Sequence, residues 1–526
     1  MRRTIVGVAT AAPAELGLDL DRAGGRRYPL SRQLADELRR RVQVGALATG
    51  ERLPTVRALA STLGVTPETV AAAYKQLTQQ GYLRGEVGRG TFVAAPPLAA
   101  EEDPLAPFEA GGALPPFATP DLAPSPPARR DLLRLAAHPG VVSFGASVAA
   151  PELAPVHALR EALGSVLAAE GASALQVCPT EGYPPLRAAV AALLRERGAE
   201  VDPATVCITS GCQQGIDLAA KVFLGPGDAV LAEQPSFLGA LEAFRTRGVR
   251  VVGVPIEDDG LRTDVLPALI ERHRPKLLYC MPTYQNPTGR SLSQEKRRAL
   301  LRIAAGYDLP IVEDDSAGFI HLDPDLPAPT ALKAEDHAGY VIHLGTFSKL
   351  IGAGLRLGWL VAAPPVFEKL VAAKYASDLS SDALVQRAVH RLLENGTLIA
   401  AVRQACLVYA ERCQALVSAL ARLGGGLRFD RPRGGFNLWL RLPPDGPTST
   451  DLYLEAIQRG VAFVPGPFFF SAASGGSSSA SAARGLRLCY SALTPEMIER
   501  GVEQLAAALA ALSSTDRSRG GETLMY

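Results

Sequence analysis

The sequence has little net charge, few cysteines and no long apolar run. Its 54 lysine and arginine residues nearly balance 53 aspartate and glutamate residues, so the charge of +1 over 526 residues favours no particular partner. The seven cysteines are odd in number and contain no C-x-x-C pair, which favours a reducing compartment and offers no metal site. No apolar run reaches the roughly 20 residues of a membrane-spanning helix. What remains is an ordinary globular composition, with 47% hydrophobic and 20% charged residues.

Three changes in composition divide a chain that is too long for one hydrophobic core. A compact stretch with a helical pattern precedes a segment rich in proline and alanine, which cannot bury a core and is predicted to be a linker. Beyond the linker, short apolar runs alternate with helix-length stretches, and one low-complexity stretch, 470–485, is predicted to be a mobile loop. The predicted parts are a leader (1–27), a helical module (28–93), the linker (94–135), a large domain (136–512) and a flexible tail (513–526).

Seven apolar runs of the large domain are predicted to be strands of one sheet. They are residues 206–211, 229–235, 249–256, 276–282, 310–315, 340–347 and 355–362. Their alternation with helical stretches is typical of a mostly parallel sheet with helices on both faces. Ligands of such sheets bind beyond the carboxyl ends of the strands, where several polar motifs of this sequence lie.

The stretch 53–93 has the spacing of a helix-turn-helix followed by a wing. A turn at Gly64 precedes a second helix, which Thr66 caps and Pro67 begins. The sequence "YLRGEVGRGTFV" then predicts a β-hairpin. Residues 28–93 carry nine lysines and arginines against five aspartates and glutamates, so this part is basic although the whole chain is almost neutral. Local positive charge is what contact with DNA phosphates requires.

This module resembles the winged helix-turn-helix of GntR-type transcription regulators. The resemblance implies that seven residues lie at the DNA: Arg57, Thr66, Thr69, Tyr74, Arg89, Gly90 and Thr91. Pro67 stands where the family often has an arginine, so one contact expected for the family is missing. From the residues alone, a helical domain with merely solvated charges is the alternative, and the target sequence is not readable.

Four motifs of the large domain point to one chemistry. "SGCQQG" (210–215) ends a strand and opens a helix whose N–H groups can receive a phosphate, although a simple turn has the same composition. "EDD" (313–315) ends a strand with carboxylates and "PTYQNPTG" (282–289) is a turn with an amide donor, yet each alone fits an ordinary strand end or loop. "GTFSK" adds Lys349 seven residues before Arg356, and a buried amine is costly unless it is paired, neutralised or used. One ligand uses all these groups, namely an aldehyde cofactor with a phosphate and a pyridine ring.

Together the motifs resemble the fold-type I aminotransferases that depend on pyridoxal 5'-phosphate, especially the aminoadipate and kynurenine aminotransferase-like group. The implied fold class is α/β, with a mostly parallel seven-stranded sheet, helices on both faces and a smaller α+β domain. The resemblance implies that Lys349 is the catalytic Schiff-base lysine, that Asp314 faces the pyridine nitrogen and that Asn286 bonds the ring hydroxyl. The other implied cofactor-binding residues are Phe237, which stacks on the ring, and the phosphate ligands Gly211, Cys212, Gln213, Ser348 and Arg356.

The resemblance also implies a substrate-binding residue and contains two departures. Arg487 in "GLRLCYS" matches the arginine that binds the α-carboxylate of a substrate, with a surface salt bridge as the alternative. Ser316 follows "EDD" where the family usually has tyrosine, and Phe237 replaces a common tyrosine. Both departures remove phenols near the ring hydroxyl, which puts the catalytic rate in doubt more than cofactor binding.

The order of winged helix, linker and aminotransferase fold is that of the MocR/GabR subfamily of GntR regulators. The resemblance implies a DNA-binding transcription regulator whose aminotransferase-like domain senses pyridoxal phosphate or an amino compound. The alternative is an active aminotransferase of an amino acid with an appended DNA-binding domain. The asparagine of "QNPTG" favours some catalysis, whereas the missing tyrosine opposes it.

The partners that the subfamily implies are a double-stranded DNA operator, an amino acid or amine effector, and a second copy in a head-to-tail, domain-swapped homodimer. The start of the sequence, "MRRTIVGVATAAPA", loosely imitates a signal peptide. Because a DNA-binding module follows it, we expect a cytoplasmic protein.

Overall fold

The computed structural model describes residues 29–43, 46–86, 89–94, 140–471 and 477–520. These residues form two compact units, one before and one after the proline-rich stretch. The predicted leader, nearly all of the predicted linker and the end of the predicted tail (521–526) lie outside the described residues.

The first unit consists of three helices and a two-stranded hairpin. They are α1 (Leu30–Gln43), α2 (Val56–Leu63), α3 (Pro67–Gln79), β1 (Leu83–Glu86) and β2 (Gly90–Val93). Helix α2 ends at Gly64, which has a left-handed φ of 60°, and α3 begins after Thr66, whose side chain accepts a hydrogen bond from the Thr69 N–H. The two strands are antiparallel, with Leu83 opposite Val93. The predicted helix-turn-helix with its wing is therefore confirmed.

The core of the first unit lies between the apolar faces of its helices. Its buried members include Leu34, Leu38, Leu59, Val70, Ala73, Tyr74, Leu77, Leu83 and Val93. On α3 the buried positions recur at i, i+3, i+4 and i+7, which is the spacing of one helix face. The opposite face of α3 is exposed and is available to a partner.

The second unit is built on a large sheet. The strands of this unit are β3 (Val142–Ser143), β4 (Val206–Thr209), β5 (Ala229–Gln234), β6 (Arg250–Glu257), β7 (Gly260–Leu261), β8 (Leu277–Cys280), β9 (Ile311–Asp314), β10 (Val341–Thr346), β11 (Gly358–Val361), β12 (Asn437–Arg441), β13 (Val461–Ala462), β14 (Val464–Pro465) and β15 (Gly485–Cys489). The large sheet has the order β4-β11-β10-β9-β8-β5-β6-β7. Strand β11 runs antiparallel to both its neighbours and β7 antiparallel to β6, whereas the other pairs are parallel.

All seven predicted strands are present in this sheet. The sheet has eight strands rather than seven because β7, at its edge, adds a pair of residues. A strand of two residues is too short to show a period in the sequence, and so it was not predicted.

Helices cover both faces of the large sheet. The helices of the second unit are α4 (Val156–Glu170), α5 (Pro184–Arg195), α6 (Cys212–Phe223), α7 (Leu238–Thr246), α8 (Leu266–His273), α9 (Gln294–Tyr307), α10 (Pro364–Asp378), α11 (Ala383–Glu394), α12 (Thr397–Leu423), α13 (Ser449–Gln458), α14 (Ser477–Arg484) and α15 (Pro495–Gly520). On β8, Tyr279 packs into a cluster with α6, α7 and α10, whereas Leu278 and Cys280 pack into another with α8 and α9. The alternation puts successive side chains on opposite, buried faces.

A smaller sheet of order β12-β15-β14 and a parallel pair of β3 and β13 complete the second unit. Helices α12, α13 and α15 pack with them in one core. The prediction of a mobile loop at 470–485 is partly wrong, because the second half of this stretch forms α14. Ala482 in this helix is buried, at 8% exposure. Helix α15 runs to Gly520, so the backbone of residues 513–520 is helical. None of the described helices is long and apolar enough to cross a membrane.

Candidate functional site

One cavity lies beyond the carboxyl ends of β9 and β10, at the N-terminus of α6. Its volume is about 130 Å³, and it opens to solvent on one side. Met281, Ser316 and Thr346 line it. The other lining residues are the nine predicted cofactor-binding residues: Gly211, Cys212, Gln213, Phe237, Asn286, Asp314, Ser348, Lys349 and Arg356. The structure therefore brings together motifs that are far apart in the sequence.

Lys349 lies in a tight turn directly after β10. Its Nζ donates a hydrogen bond to the Ser147 carbonyl and lies 5.5 Å from the centre of the Phe436 ring. Desolvation lowers the pKa of Lys349 to about 8, and the nearby Arg487 guanidinium acts in the same direction. An amine with such a pKa is partly neutral near pH 7, as a nucleophilic lysine must be.

Asp314 is the last residue of β9 and is 1% exposed. Its Oδ2 accepts a hydrogen bond of 2.9 Å from the Tyr279 hydroxyl, and its Oδ1 accepts one of 3.2 Å from the Ser316 N–H. Burial raises the pKa of Asp314, whereas these donors lower it. Tyr279 was not predicted to be near the site, because a hydroxyl within an apolar strand is usually a packing residue.

The other two carboxylates of "EDD" have structural partners. Glu313 accepts a hydrogen bond of 2.9 Å from His343 Nδ1, and both side chains are fully buried. Asp315 forms an ion pair of 3.1 Å with Arg197, also within the core. Of the three neighbouring acids, Asp314 alone lines the cavity.

The N-terminus of α6 forms a cradle for an anion. Among the described residues no side chain caps this helix end, so its first N–H groups can donate to a ligand. Gly211 precedes the helix with a φ of 95°, which favours glycine, and a Cβ there would lie 3.5 Å from Arg356 Nη2. The same guanidinium donates to the Ser210 carbonyl at 2.8 Å. Helix N–H groups beside an arginine fit a phosphate.

A chain of hydrogen-bonded side chains, of which only Lys374 is fully buried, holds the backbone next to this cradle. The Ser210 N–H donates to Gln214 Oε1 at 2.7 Å, and Gln214 Nε2 donates to Asp378 Oδ2 at 2.7 Å. Lys374, which is 0% exposed, donates to Asp378 Oδ1 at 2.7 Å. The chain fixes the backbone at Ser210 through three side chains, none of which was predicted from the sequence.

Asn286 and Arg487 are bonded to each other. Arg487 Nη1 donates to Asn286 Oδ1 at 3.0 Å, and Nη2 donates to the Gly145 carbonyl at 2.6 Å. Arg487 is 5% exposed, so the alternative of a surface salt bridge is wrong. Its Nε has no hydrogen-bond partner among the described residues. A buried N–H group without a partner is costly, and a ligand carboxylate would satisfy it.

The two departures from the family pattern both face the cavity. Phe237 lies at the N-terminus of α7 with its ring against Gly239, where a Cβ would come within 2.6 Å of the ring. Ser316 contributes a small side chain and its N–H to Asp314. Neither residue supplies a phenol.

The cavity residues fit an aldehyde cofactor that carries a phosphate and a pyridine ring. They provide an amine of lowered pKa, an uncapped helix end beside an arginine, and a buried carboxylate. Each group lies on a different element, and all of them line one cavity.

Most of the predicted DNA-binding residues lie on the surface of the first unit. Arg57, Thr66 and Arg89 are exposed, and Arg89 is 74% exposed although it pairs with Glu86 at 3.1 Å. Thr69 and Thr91 are half-buried. Gly90 has a φ of 119°, and a Cβ there would lie 2.8 Å from Arg52 Nε, so the wing requires glycine at this position.

The prediction for Tyr74 is not supported by its placement. The side chain is 5% exposed, and its hydroxyl donates to the Pro54 carbonyl at 2.9 Å. Tyr74 thus joins α3 to the segment before α2. It is a core residue and has no surface from which to reach DNA.

Comparison with known proteins assigns a family to each unit. The family described as "Aminotransferase class I and II" matches residues 141–505, and "Bacterial regulatory proteins, gntR family" matches residues 30–93. The chain is 32% identical to the HTH-type transcriptional regulator TauR of Rhodobacter capsulatus, over 93% of this chain and 98% of that protein. It is 30% identical to the probable rhizopine catabolism regulatory protein MocR of Rhizobium meliloti, over 93% of this chain and 95% of that protein.

A solved structure is similar to the second unit. It is the α-aminoadipate aminotransferase LysN from Thermus thermophilus, complexed with N-(5'-phosphopyridoxyl)-L-leucine. The match has a TM-score of 0.66 and 39% identity, and it covers 74% of this chain and 95% of that chain. The second unit therefore has the fold of the class I and II aminotransferases.

Proposed function

The chain belongs to the MocR- and TauR-type regulators, which join a GntR helix-turn-helix domain to an aminotransferase class I and II domain, and we propose that it changes its DNA binding in response to an amino compound. Its cofactor is pyridoxal phosphate. The observation that carries the proposal is the cavity itself: the nine residues predicted to bind the cofactor line it, in a chain that also has a winged helix.

We propose the following roles for the cavity residues. Lys349 would hold the aldehyde carbon, Asp314 the pyridine nitrogen and Asn286 the ring hydroxyl. Phe237 would stack on the ring. The phosphate would lie at the N-terminus of α6, among Gly211, Cys212, Gln213, Ser348 and Arg356. When bound, the cofactor supplies an aldehyde that condenses with amines and a ring that withdraws electrons.

The protein's own residues prepare this chemistry. With a pKa of about 8, roughly a tenth of the Lys349 amine is neutral at pH 7 and ready to react. Asp314 accepts hydrogen bonds at both oxygens, so its carboxylate is directed and its charge is partly compensated. Arg487 is 5% exposed, and its low contact with water strengthens its attraction for an anion.

The effector is an amino acid or an amine. The Arg487 Nε has no hydrogen-bond partner among the described residues. This favours an amino acid as the effector, because its carboxylate can accept two parallel hydrogen bonds from a guanidinium. An effector alters DNA affinity only if it binds the DNA-competent conformation and its alternative unequally.

We also propose that two copies associate head to tail, with each winged domain working beside the partner's aminotransferase domain. Support comes from the family assignment and from exposed apolar side chains of the second unit, among them Leu175 at 65% and Val177 at 80% exposure. Because its target is a DNA operator, we place the protein in the cytoplasm.

Aminotransferase activity is the second candidate function. It is favoured by Asn286, which lines the cavity, and by Arg487, which donates a hydrogen bond to Asn286. It is opposed by Ser316, which offers no phenol beside the ring hydroxyl. The two candidates therefore differ in whether the bound amino compound turns over.

The visible spectrum of the purified protein distinguishes these candidates. We expect absorbance from lysine-bound cofactor, which an effector from a panel of amino acids and amines shifts without completing transamination. Conversion to a pyridoxamine-like spectrum that a keto acid reverses would instead establish an aminotransferase. The same effector is then added to a DNA-binding assay with the upstream region of the gene, and unchanged binding would contradict the sensor role.

A further inference from the structure

We propose that Tyr279 is a positioning residue, which fixes the Asp314 carboxylate as the acceptor that faces the pyridine nitrogen of the cofactor. This inference rests on the proposed role of Asp314 in cofactor binding. It assigns a task to a side chain that does not line the cavity and that no sequence motif marked.

The hydroxyl of Tyr279 meets Asp314 from the neighbouring strand. Strands β8 and β9 are parallel, with Tyr279 opposite Val312, so Asp314 lies two residues further along β9. The Tyr279 Oη donates to Asp314 Oδ2 at 2.9 Å. Tyr279 is 0% exposed, and its ring packs edge to face against Phe244 with the centroids 6.0 Å apart. A ring held in this way presents its hydroxyl in one direction only.

The second carboxylate oxygen is also held. Asp314 Oδ1 accepts a hydrogen bond from the Ser316 N–H at 3.2 Å. Donors at both oxygens fix the plane of the group. The cofactor would therefore meet a carboxylate whose orientation is set before it binds.

The groups around Asp314 determine how strongly the Tyr279 hydroxyl affects the pKa of Asp314. Burial raises the pKa of Tyr279 and of Cys212 well above their ordinary values, so both stay protonated and can donate. Burial also raises the pKa of Asp314, and Tyr279 is the foremost hydrogen-bond donor that lowers it. The titratable groups that face this carboxylate are Tyr279 on β8, Glu233 on β5, Cys212 at the start of α6, Lys349 after β10 and the adjacent Asp315.

The sign of the effect follows from these contacts. Without the Tyr279 hydroxyl, the ionised form of Asp314 loses a donor and its pKa rises. On acidification the carboxylate is then protonated at a higher pH, where it no longer pairs with a protonated pyridine nitrogen. A hydrogen bond to a charged group is worth enough to weaken cofactor binding about tenfold or more.

The test compares Tyr279→Phe with Tyr409→Phe and with Asp314→Asn. Tyr409 is a matched control, because it is buried and its hydroxyl has a backbone partner, the Ala150 N–H at 3.0 Å. Each protein is titrated with pyridoxal phosphate to obtain its Kd, and the absorbance of the bound cofactor is followed against pH. For Tyr279→Phe we expect a Kd raised about tenfold and an acid midpoint moved up by about one pH unit. Tyr409→Phe should change neither quantity.

Three outcomes are decisive. If Tyr279→Phe lowers only the melting temperature, with Kd and midpoint unchanged, Tyr279 is a packing residue and the inference is wrong. If Asp314→Asn leaves the Kd and spectrum of the wild type, the proposed cofactor role of Asp314 itself fails. If both single variants weaken binding, the double variant separates the effects, because a tyrosine that acts through Asp314 adds nothing once Asp314 is replaced. Additive losses in the double variant would overturn the inference.

Discussion

At the residue scale, the environments of single side chains separate their roles. Lys349 and Lys374 are both lysines in the second unit, but Lys374 forms an ion pair with Asp378, whereas Lys349 has no carboxylate partner among the described residues. Desolvation outweighs the attraction of the nearby Asp314 carboxylate and lowers the pKa of Lys349. Asp314 and Asp315 differ in the same way, because Asp315 forms an ion pair with Arg197 in the core, whereas Asp314 lines the cavity.

The first prediction concerns the pH dependence of cofactor uptake. Since the neutral amine is the reactive form, the rate at which cofactor-free protein takes up pyridoxal phosphate should rise with pH and level off above about 8. Stopped-flow absorbance measures this rate. Lys349→Ala should remove the absorbance of lysine-bound cofactor, whereas alanine at the exposed Lys369 should retain it. A rate that does not change with pH would contradict the assigned pKa.

The second prediction concerns two residues of the first unit. Arg57→Ala should weaken DNA binding to all sequences and reduce the slope of log K against log salt by about 1, because Arg57 is exposed and cationic. Tyr74→Phe should leave that slope unchanged and cost about 1 kcal/mol of stability, because it loses the buried bond to Pro54. Fluorescence anisotropy at several salt concentrations measures the slopes, and thermal unfolding measures the stability. A changed slope in Tyr74→Phe would return that residue to the DNA surface.

At the scale of elements, the α6 N-terminus shows how a short stretch forms a binding site. The N–H groups at the start of this helix, Gly211 with its positive φ, and Gln214, which supports the backbone, all lie within a few residues of one another in the sequence. The fold adds Arg356, which lies far along the chain and has a left-handed φ of 47° itself. The cradle therefore combines a local motif with one distant side chain.

The third prediction tests this cradle with a pair of glycines. Gly211→Ala and Gly227→Ala each place a Cβ at a left-handed backbone, so each should cost about 1–2 kcal/mol of stability. Gly227 has nothing within 4 Å of the added Cβ, whereas Gly211 faces the cavity. Only the Gly211 variant should lose affinity for pyridoxal phosphate. Equal affinities in the two variants would show that the cradle does not hold the phosphate.

Elements with a sustained period or a clear chemical pattern were predictable from the sequence. The strands of the large sheet and the helix-turn-helix are such elements, and so are the polar residues at the strand ends. Tyr74 was misassigned although the spacing of Val70, Ala73, Tyr74 and Leu77 places it on the buried face of α3. Helix α14 was missed because a stretch made mostly of serine, alanine and glycine has the low-complexity composition of a loop.

Long-range contacts were not predictable, for a different physical reason. The bond between Tyr279 and Asp314 depends on which strands are neighbours, and the chain of Lys374, Asp378 and Gln214 depends on how α10 packs on α6. Neither pairing leaves a local signal in composition or spacing. Such contacts are determined by topology and become visible only in the structure.

At the scale of the whole molecule, a regulator requires that ligand binding in the second unit changes the free energy of DNA binding by the first. A ligand bound in the second unit can alter DNA affinity only through a difference between conformations. The binding free energies of ligand and DNA are then coupled in both directions.

The fourth prediction is this reciprocity. If an amino compound changes the affinity for operator DNA by some factor, operator DNA must change the affinity for that compound by the same factor. Titration of the ligand into free and DNA-bound protein measures the second factor, and anisotropy with and without the ligand measures the first. Arg487→Lys should weaken ligand binding in both titrations, because lysine lacks the paired N–H groups. If the amino compound binds but neither titration changes, the two units are not coupled and the sensor role is wrong.

The hydrogen bonds from Arg487 to Gly145 and from Lys349 to Ser147 have a consequence for that coupling. Both carbonyls belong to the first described residues after the proline-rich stretch, just beyond β3. A ligand that accepts hydrogen bonds from Arg487 or Lys349 must therefore compete with these backbone carbonyls for the same donors. The measured affinity of such a ligand is a net quantity, reduced by the backbone contact that it replaces. A ligand that displaces either carbonyl also changes how the chain is held where the described part of the second unit begins.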